Sequence, residues 1–356
     1  MNILIVSFSV NFSMGDNFKC ISRYLSKDND VFVLTNSGVT PEMVGTDNVC
    51  NVRFNKHKPL DFFNPVSYLD IARYLKKIDY DIAFVCSPHP VNLFVYCLLD
   101  MKRTVCYVHD HIPHSGVKIL DKWSIKGNLY WSYNKVAKII VSCESIKRDI
   151  LREKYMDDAN KIEVCHLGLL DNLIYDFTEK IPDIDILFFG RIEYYKGLDI
   201  LVKVAKSLPH VRFTIAGQGD LESVFGIKEL PANCVHINRY VPDEELAHLI
   251  YSCKAVVLPY RDATGTQTIQ SVFYYSKPII ATRVGCFPEY ISDGIDGRIV
   301  EPENVEQLKS AIEDLLGDNT KCAEFGTNGN KKLNTMFSNE EINKRYLEIF
   351  KSVIDN

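Results

Sequence analysis

The sequence predicts two α/β domains, each a doubly wound parallel sheet with helices on both faces. Three observations point there. Over residues 1 to 168, short apolar runs alternate with segments of helical period. The same alternation resumes at residue 184. At 356 residues the chain is long for one core and ordinary for two. Alternation of this kind builds parallel sheets covered on both sides.

In the first half the apolar runs are ILIVSF, VFVLT, IAFVC, TVCYVH, KIIVSC and IEVCHLG, with helical segments at 17–26, 66–77 and 90–99. The opening MNILIVSFSV lacks a basic start and stops at Asn11, so it reads as the first strand rather than a leader. Residues 166–184 lack a clear period and hold Gly168 and Pro182, which places the domain crossing there. The expected layout is a first domain at 1–168, a linker at 169–183, a second domain at 184–335 and a C-terminal segment at 336–356. In the second domain, strands are expected near 184–189, 211–216, 234–237, 255–258 and 278–282. Helices are expected near 197–208, 220–226, 243–252, 267–276 and 286–292. Pro242-Asp243 marks a helix start, with an N-cap and an acidic first turn. GIDGRIVEPENVEQLKSAIEDLL, 294–316, reads as turn, short strand, proline turn and amphipathic helix, and a last helix is expected from about 339 to 353.

The composition narrows the function. With 46% hydrophobic and 24% charged residues the chain is globular, and its net charge of -5 argues against a partner made of duplex nucleic acid. Its 11 cysteines are scattered through apolar segments without a C-x-x-C pair, the pattern of reduced core thiols in a cytosolic protein rather than of a disulfide framework or zinc site. No apolar run is long enough to span a bilayer. Residues 115–138 carry five lysines, both tryptophans, Tyr130 and Tyr133. Such a segment suits a membrane surface or a phosphate-rich acceptor, and equally a core helix with solvated lysines. RFNKHKPLDFF, 53–63, poses the same choice.

Ligands of doubly wound sheets bind beyond the carboxyl ends of the strands. In the first half that directs attention to 13–17, 87–90, 109–116 and 144–145. The richest of these is VHDHIPHSG, with His109, Asp110, His111 and His114, although no helical spacing or second carboxylate accompanies them as a metal site needs. The second half holds three glycine-punctuated stretches: FFGRIEYYKG, IAGQG, and a long one from Pro259 to Glu289. In the first, Arg191 and Lys196 flank a strand-to-helix turn. Two cations there form a diphosphate clamp or a solvated surface pair. Asp183-Ile184-Asp185 spells D-x-D, but at the entrance of a strand, so no metal is expected from it.

Taken in order, Gly190-Arg191 with Lys196-Gly197, Gly217-Gln218-Gly219, and Thr264-Gly265-Thr266 with Ser276-Lys277-Pro278 resemble the nucleotide-binding half of the GT-B glycosyltransferases, specifically retaining family 4. The resemblance covers the C-terminal half well and the N-terminal half weakly. It implies two Rossmann-like domains facing a cleft, with the last helix crossing back to the first domain. It further implies a donor diphosphate and sugar held by Arg191, Lys196, Thr264, Gly265, Thr266 and Gly15. The nucleoside would be read around Gly217, Tyr240, Val241 and Ser271. His109 would contact the donor sugar, and Asp110, His111 and His114 would meet the acceptor.

One part of the pattern is missing. Family 4 members carry two Glu eight positions apart, and here those positions are Ala263 and Ser271. A neutral hydrogen bond is weaker than a charge-assisted one, so donor affinity is expected to fall without disappearing. Glu289 reads as a first-turn carboxylate favoured by the helix dipole.

The expected activity is transfer of a sugar from a nucleotide diphosphate, UDP before GDP, without metal or cofactor. The acceptor implied by the resemblance is a saccharide or polyprenyl-linked glycan in capsule, lipopolysaccharide or related surface-glycan assembly. The implied location is cytoplasmic, peripheral on the inner membrane face through 115–138. Two other readings stay open: a nucleotide-sugar-binding subunit without turnover, and a GT-B-like sugar-nucleotide epimerase. A nicotinamide dehydrogenase is disfavoured, because no G-x-G-x-x-G follows the first strand and Gly15 stands alone there.

Overall fold

The computed structural model describes residues 1–10, 12–54, 64–109, 133–156, 158–182 and 184–355, without the side chains of residues 12 and 13. The expectations for Asp110, His111, His114, Asp183 and most of 115–138 and 53–63 lie outside these residues. The chain forms two units, Met1–Gly168 with Asn339–Asn356, and Leu169–Ser338.

In the first unit seven strands form a parallel sheet: β1 (Asn2–Ser7), β2 (Asp30–Asn36), β3 (Val49–Val52), β4 (Ile82–Val85), β5 (Thr104–Val108), β6 (Lys138–Val141) and β7 (Ile162–Val164). Their order is β3-β2-β1-β4-β5-β6-β7, so the winding reverses between β1 and β4. Both of those strands are buried along almost their whole length, as strands packed on both faces must be. The apolar runs of the sequence match every strand except β3. That edge strand, VCNV, keeps only Val52 fully buried, so its sequence shows no sustained apolar run.

Helix Asn339–Ile354 belongs to this unit. Its Ile342, Tyr346, Ile349 and Phe350 lie in one core with Ile3, Ile5, Phe18 and Phe84. The Phe84 ring is 5.3 Å from both Tyr346 and Phe350.

In the second unit six parallel strands run in the order β10-β9-β8-β11-β12-β13. They are β8 (Ile186–Phe189), β9 (Phe213–Ala216), β10 (Cys234–Ile237), β11 (Ala255–Leu258), β12 (Ile279–Thr282) and β13 (Gly297–Val300). Helices follow at Leu198–Ser207, Leu221–Phe225, Asp243–Ser252, Thr268–Tyr274, Phe287–Tyr290, Val305–Leu316 and Asn319–Lys332. Side-chain caps start several of them. Asp220 accepts from Glu222 and Ser223 N–H, Asn304 from Gln307, and Asp318 from Thr320 and Lys321. Helix Asp243–Ser252 starts where expected, with an acidic first turn, but the N-cap is a correction: the cap position is Pro242, which has no side-chain acceptor, and Asp243 accepts from Asn172 at 2.8 Å.

The residues expected to link the domains pack on this second unit. Tyr275 Oη donates to the Leu173 carbonyl and accepts from Tyr175 N–H, Phe177 stacks 4.4 Å from His248, and Ile181 N–H donates to Ser252. The apolar Leu169, Leu170 and Leu173 are buried, whereas most of 174–182 is exposed or half-buried.

Candidate functional site

The glycine-punctuated stretches of the second half meet at the carboxyl ends of β8, β9 and β11. Gly190 ends β8, and Gly217 follows β9. A Cβ on Gly217 would stand 2.0 Å from the Gly190 carbonyl oxygen, so the two turns touch backbone to backbone. Gly197, at φ 63°, closes the first loop, and a Cβ there would meet the Pro259 carbonyl at 1.9 Å. Glycine is therefore a packing requirement where the loop after β8 meets the loop after β11.

Charged and polar groups fasten the same junction. Arg261 donates from one guanidinium nitrogen to the Tyr194 carbonyl and from another to Asp199 Oδ2, both at 2.9 Å. Its Nε donates to Glu303 at 2.9 Å. Its guanidinium also lies 4.3 Å from the Tyr194 ring centre, and its own N–H donates to the Tyr195 carbonyl at 2.7 Å. The hydrogen bonds to Asp199 and Glu303 raise its pKa above the ordinary arginine value.

The two expected clamp cations sit in this loop in different environments. Arg191 is exposed, and its guanidinium pairs with Glu193 at 3.0 Å. Lys196 is part-buried and donates to Tyr260 Oη at 2.6 Å. Burial draws its pKa below the usual lysine value, with Arg191 adding to the shift and Tyr195 and Glu193 opposing it. The Thr264–Thr266 turn leads into helix Thr268–Tyr274, where Thr266 Oγ1 accepts from Thr268 N–H at 3.2 Å.

Beside the Gly217–Gly219 turn lies a cavity of about 650 Å³ lined by Gln218, Gly219, Asp220, Leu221, His236 and Asn238, among others. His236 Nε2 is 2.9 Å from the Gly217 carbonyl, and Gly219 N–H donates to Asn238 at 3.0 Å. Neither Tyr240, which is exposed, nor Val241, which is buried, lines it.

Ser271 is 0% exposed, and its hydroxyl donates to the Gln267 carbonyl one turn back in its helix. Gly15 lies in helix Phe12–Leu25, where a Cβ would stand 2.4 Å from the Val10 carbonyl oxygen. Packing alone requires glycine there. His109 directly follows β5 in the first unit, its ring 6.3 Å from that of Tyr107. Asp185 of the D-x-D stretch accepts from Arg212 N–H and pairs with Lys254, both at 2.9 Å.

The family model for Glycosyltransferase Family 4 matches residues 20–169, and that for Glycosyl transferases group 1 matches 175–332. The chain belongs to the family 4 glycosyltransferases of the GT-B fold. An uncharacterized glycosyltransferase of Methanocaldococcus jannaschii is 25% identical to this glycosyltransferase over 257 residues, 72% of this chain and 71% of that protein. The O-antigen chain mannosyltransferase C of Escherichia coli is 25% identical over 188 residues, 51% of this chain and 50% of that protein. Among solved structures, Anabaena HepE in complex with UDP and glucose superposes with a TM-score of 0.74 at 15% identity, covering 99% of this chain and all of that one.

Arg261, Tyr260 and His236 were not anticipated at these loops of the second unit. Arg261 and Tyr260 follow Pro259 in the long glycine stretch, and the signal for them was positional: they come directly after β11. Their partners could not be read, since Asp199 and Glu303 lie 62 and 42 residues from Arg261, and Lys196 lies 64 from Tyr260.

Proposed function

We propose that this glycosyltransferase is a retaining, metal-independent enzyme that takes a UDP-sugar, or failing that a GDP-sugar, and glycosylates a saccharide or lipid-linked glycan of a surface polysaccharide. The observation that carries the donor side is the junction of the loops after β8, β9 and β11. It holds Lys196 part-buried and Arg191 exposed at the carboxyl edge of a parallel sheet. Two cations there stabilise the negative charge that grows on the departing diphosphate, and such electrostatic stabilisation is usually the largest catalytic contribution. In a retaining transfer the acceptor hydroxyl attacks from the face the diphosphate leaves. The leaving phosphate oxygen then takes the proton, so no protein base is assigned. His109 keeps the donor-sugar role that the family resemblance gives it.

The polysaccharide setting draws on the O-antigen enzyme of Escherichia coli, and the choice of UDP on the complex of Anabaena HepE. Peripheral membrane contact through 115–138 stays part of the proposal. No described helix is long and apolar enough to cross a membrane.

The test is Arg191→Ala assayed with UDP-sugars and a lipid-linked oligosaccharide. Turnover should fall by at least about a hundredfold, the scale of one lost transition-state donor. Near-normal transfer would remove the clamp. A second reading, a subunit that binds donor without consuming it, is favoured by one observation: the two positions expected to be acidic are Ala263 and a buried Ser271. Donor binding by calorimetry with no donor consumption across an acceptor panel would establish that reading instead.

A further inference from the structure

The Lys196 ammonium is held by neutral groups. Its Nζ donates to Tyr260 Oη at 2.6 Å and lies 4.4 Å from the Tyr260 ring centre and 5.4 Å from that of Tyr195. The two rings meet edge to face, 5.9 Å apart. On another side a Cβ at Gly190 would stand 2.9 Å from Nζ, so the backbone there closes over the ammonium. Among the described residues no carboxylate forms an ion pair with Lys196. The adjacent Glu193 carboxylate pairs with Arg191, and only its backbone carbonyl accepts from Lys196 N–H.

Tyr260 is itself firmly set. Its carbonyl accepts from Thr282 Oγ1 at 2.6 Å, its ring lies 5.2 Å from that of Phe287, and the residue is 3% exposed. A hydroxyl that accepts from an ammonium orients it without cancelling its charge, whereas a carboxylate in that place would neutralise it. The face of a tyrosine ring adds attraction for the cation, again without a counter-charge.

We propose that Tyr260 is a positioning residue of the donor site, its hydroxyl and ring holding Lys196 as an un-neutralised cation for an anionic oxygen of a nucleoside diphosphate. This rests on the reading of Lys196 as a diphosphate ligand. The groups that act on the ammonium are Tyr195, whose side chain also hydrogen-bonds it, Glu193 and Arg191 from its own loop and Tyr260 from the loop after β11, with Cys286 and Glu193 near Tyr260. Burial already makes Lys196 give up its proton more readily than an ordinary lysine. Removing the Tyr260 hydroxyl withdraws an acceptor that favours the charged form, so the proton leaves at lower pH still.

The experiment is UDP binding by calorimetry between pH 7 and 10 for the full chain and for Tyr260→Phe, Lys196→Ala and Lys196→Arg. Each affinity is taken relative to Lys196→Arg, whose charge does not titrate there, so that the titration of UDP cancels. Tyr260→Phe should weaken binding about three- to tenfold at pH 7, the scale of one hydrogen bond, and move the alkaline loss of affinity to lower pH. Lys196→Ala should lose about tenfold or more together with the alkaline limb. A Tyr260→Phe profile identical to wild type, beside a weakened Lys196→Ala, overturns the inference and leaves the clamp standing. A loss for Tyr260→Phe that is equal at every pH also overturns it, since that marks a packing defect. Full UDP affinity in Lys196→Ala overturns the clamp itself and the inference with it. Should Tyr260→Phe fail to fold, the Lys196 side-chain resonance of the wild type decides. It should titrate below an ordinary lysine and move up when UDP binds, and indifference to UDP sinks the proposal.

Discussion

Ser276 shows how one residue can satisfy a pattern and still strain the backbone. It belongs to the Ser276-Lys277-Pro278 stretch of the family resemblance, and its φ is 52°, in the left-handed region that glycine enters without steric cost. A serine there carries roughly 1–2 kcal/mol of strain, partly offset because glycine has more freedom to lose on folding. Ser276→Gly should therefore stabilise the second unit by about 0.5–1 kcal/mol, read as a shift of the urea midpoint. No shift, or a downward one, would mean the serine side chain has contacts worth the strain. The neighbouring Lys277 is buried, and its Nζ donates to the Cys253 carbonyl at 2.8 Å. Burial draws its pKa down. Neither fact was legible in the sequence, where Ser276-Lys277-Pro278 carries only the family resemblance. Arg191 and Lys196 were legible because both lie in one short loop. Arg261, which fastens that loop, was not, because its partners are distant in sequence.

Elements with a strong apolar signal were read correctly; of those without one, helix Leu221–Phe225 and β10 lie where they were expected, and β3 and helix Asn319–Lys332 were missed. ILFF in β8 and AVVL in β11 are fully buried, and their runs announce it. Helix Asn319–Lys332, NTKCAEFGTNGNKK, has no counterpart in the sequence reading, for it holds two glycines and buries only Phe325, Gly326 and Gly329. Close packing of Gly326 on the Ser276 carbonyl and of Gly329 on the Phe273 ring holds that helix, together with an ion pair. Lys332 Nζ donates to Asp296 and to Ser292 Oγ, each at 2.8 Å, and the Asp296 and Lys332 side chains are 3% and 14% exposed. Lys332→Met would leave the Asp296 carboxylate buried without its cation, at a cost of about 3–5 kcal/mol in unfolding free energy. Adding Asp296→Asn to that variant should recover part of the loss, since the stranded charge goes with it. Helix Asn339–Ile354 has the opposite basis, an apolar stripe. Phe350→Ala should cost the first unit about 3–5 kcal/mol, because the ring is fully buried between Phe84 and Tyr346. A variant within 1 kcal/mol of wild type would show that the first sheet stands without this helix.

For the whole chain, the thiols set a common limit on stability. All eleven cysteines are free. Burial pushes Cys106, Cys165 and Cys253 up to about 12 and Cys234 up to about 11, from an ordinary 9.0. A group whose folded pKa is raised stabilises the fold fully below its unfolded pKa and loses that contribution as pH rises toward the folded value. Between pH 9 and 12 the unfolded chain has released these protons while the folded chain still holds them. Each such thiol therefore removes about 1.4 kcal/mol of stability per pH unit in that window. Cys106 and Cys165 act on the first unit and Cys253 on the second, so both should weaken together. The urea midpoint should be flat from pH 7 to 8.5 and fall steeply above 9. Cys106→Ala with Cys165→Ala, measured through a probe in the first unit, should have a shallower alkaline slope by about 2–3 kcal/mol per pH unit. An unchanged slope would mean that other groups carry the alkaline loss. Tyr68 and Tyr74 of the first unit, which burial also raises above the ordinary tyrosine value, are the next candidates, and they would act from pH 10 rather than 9.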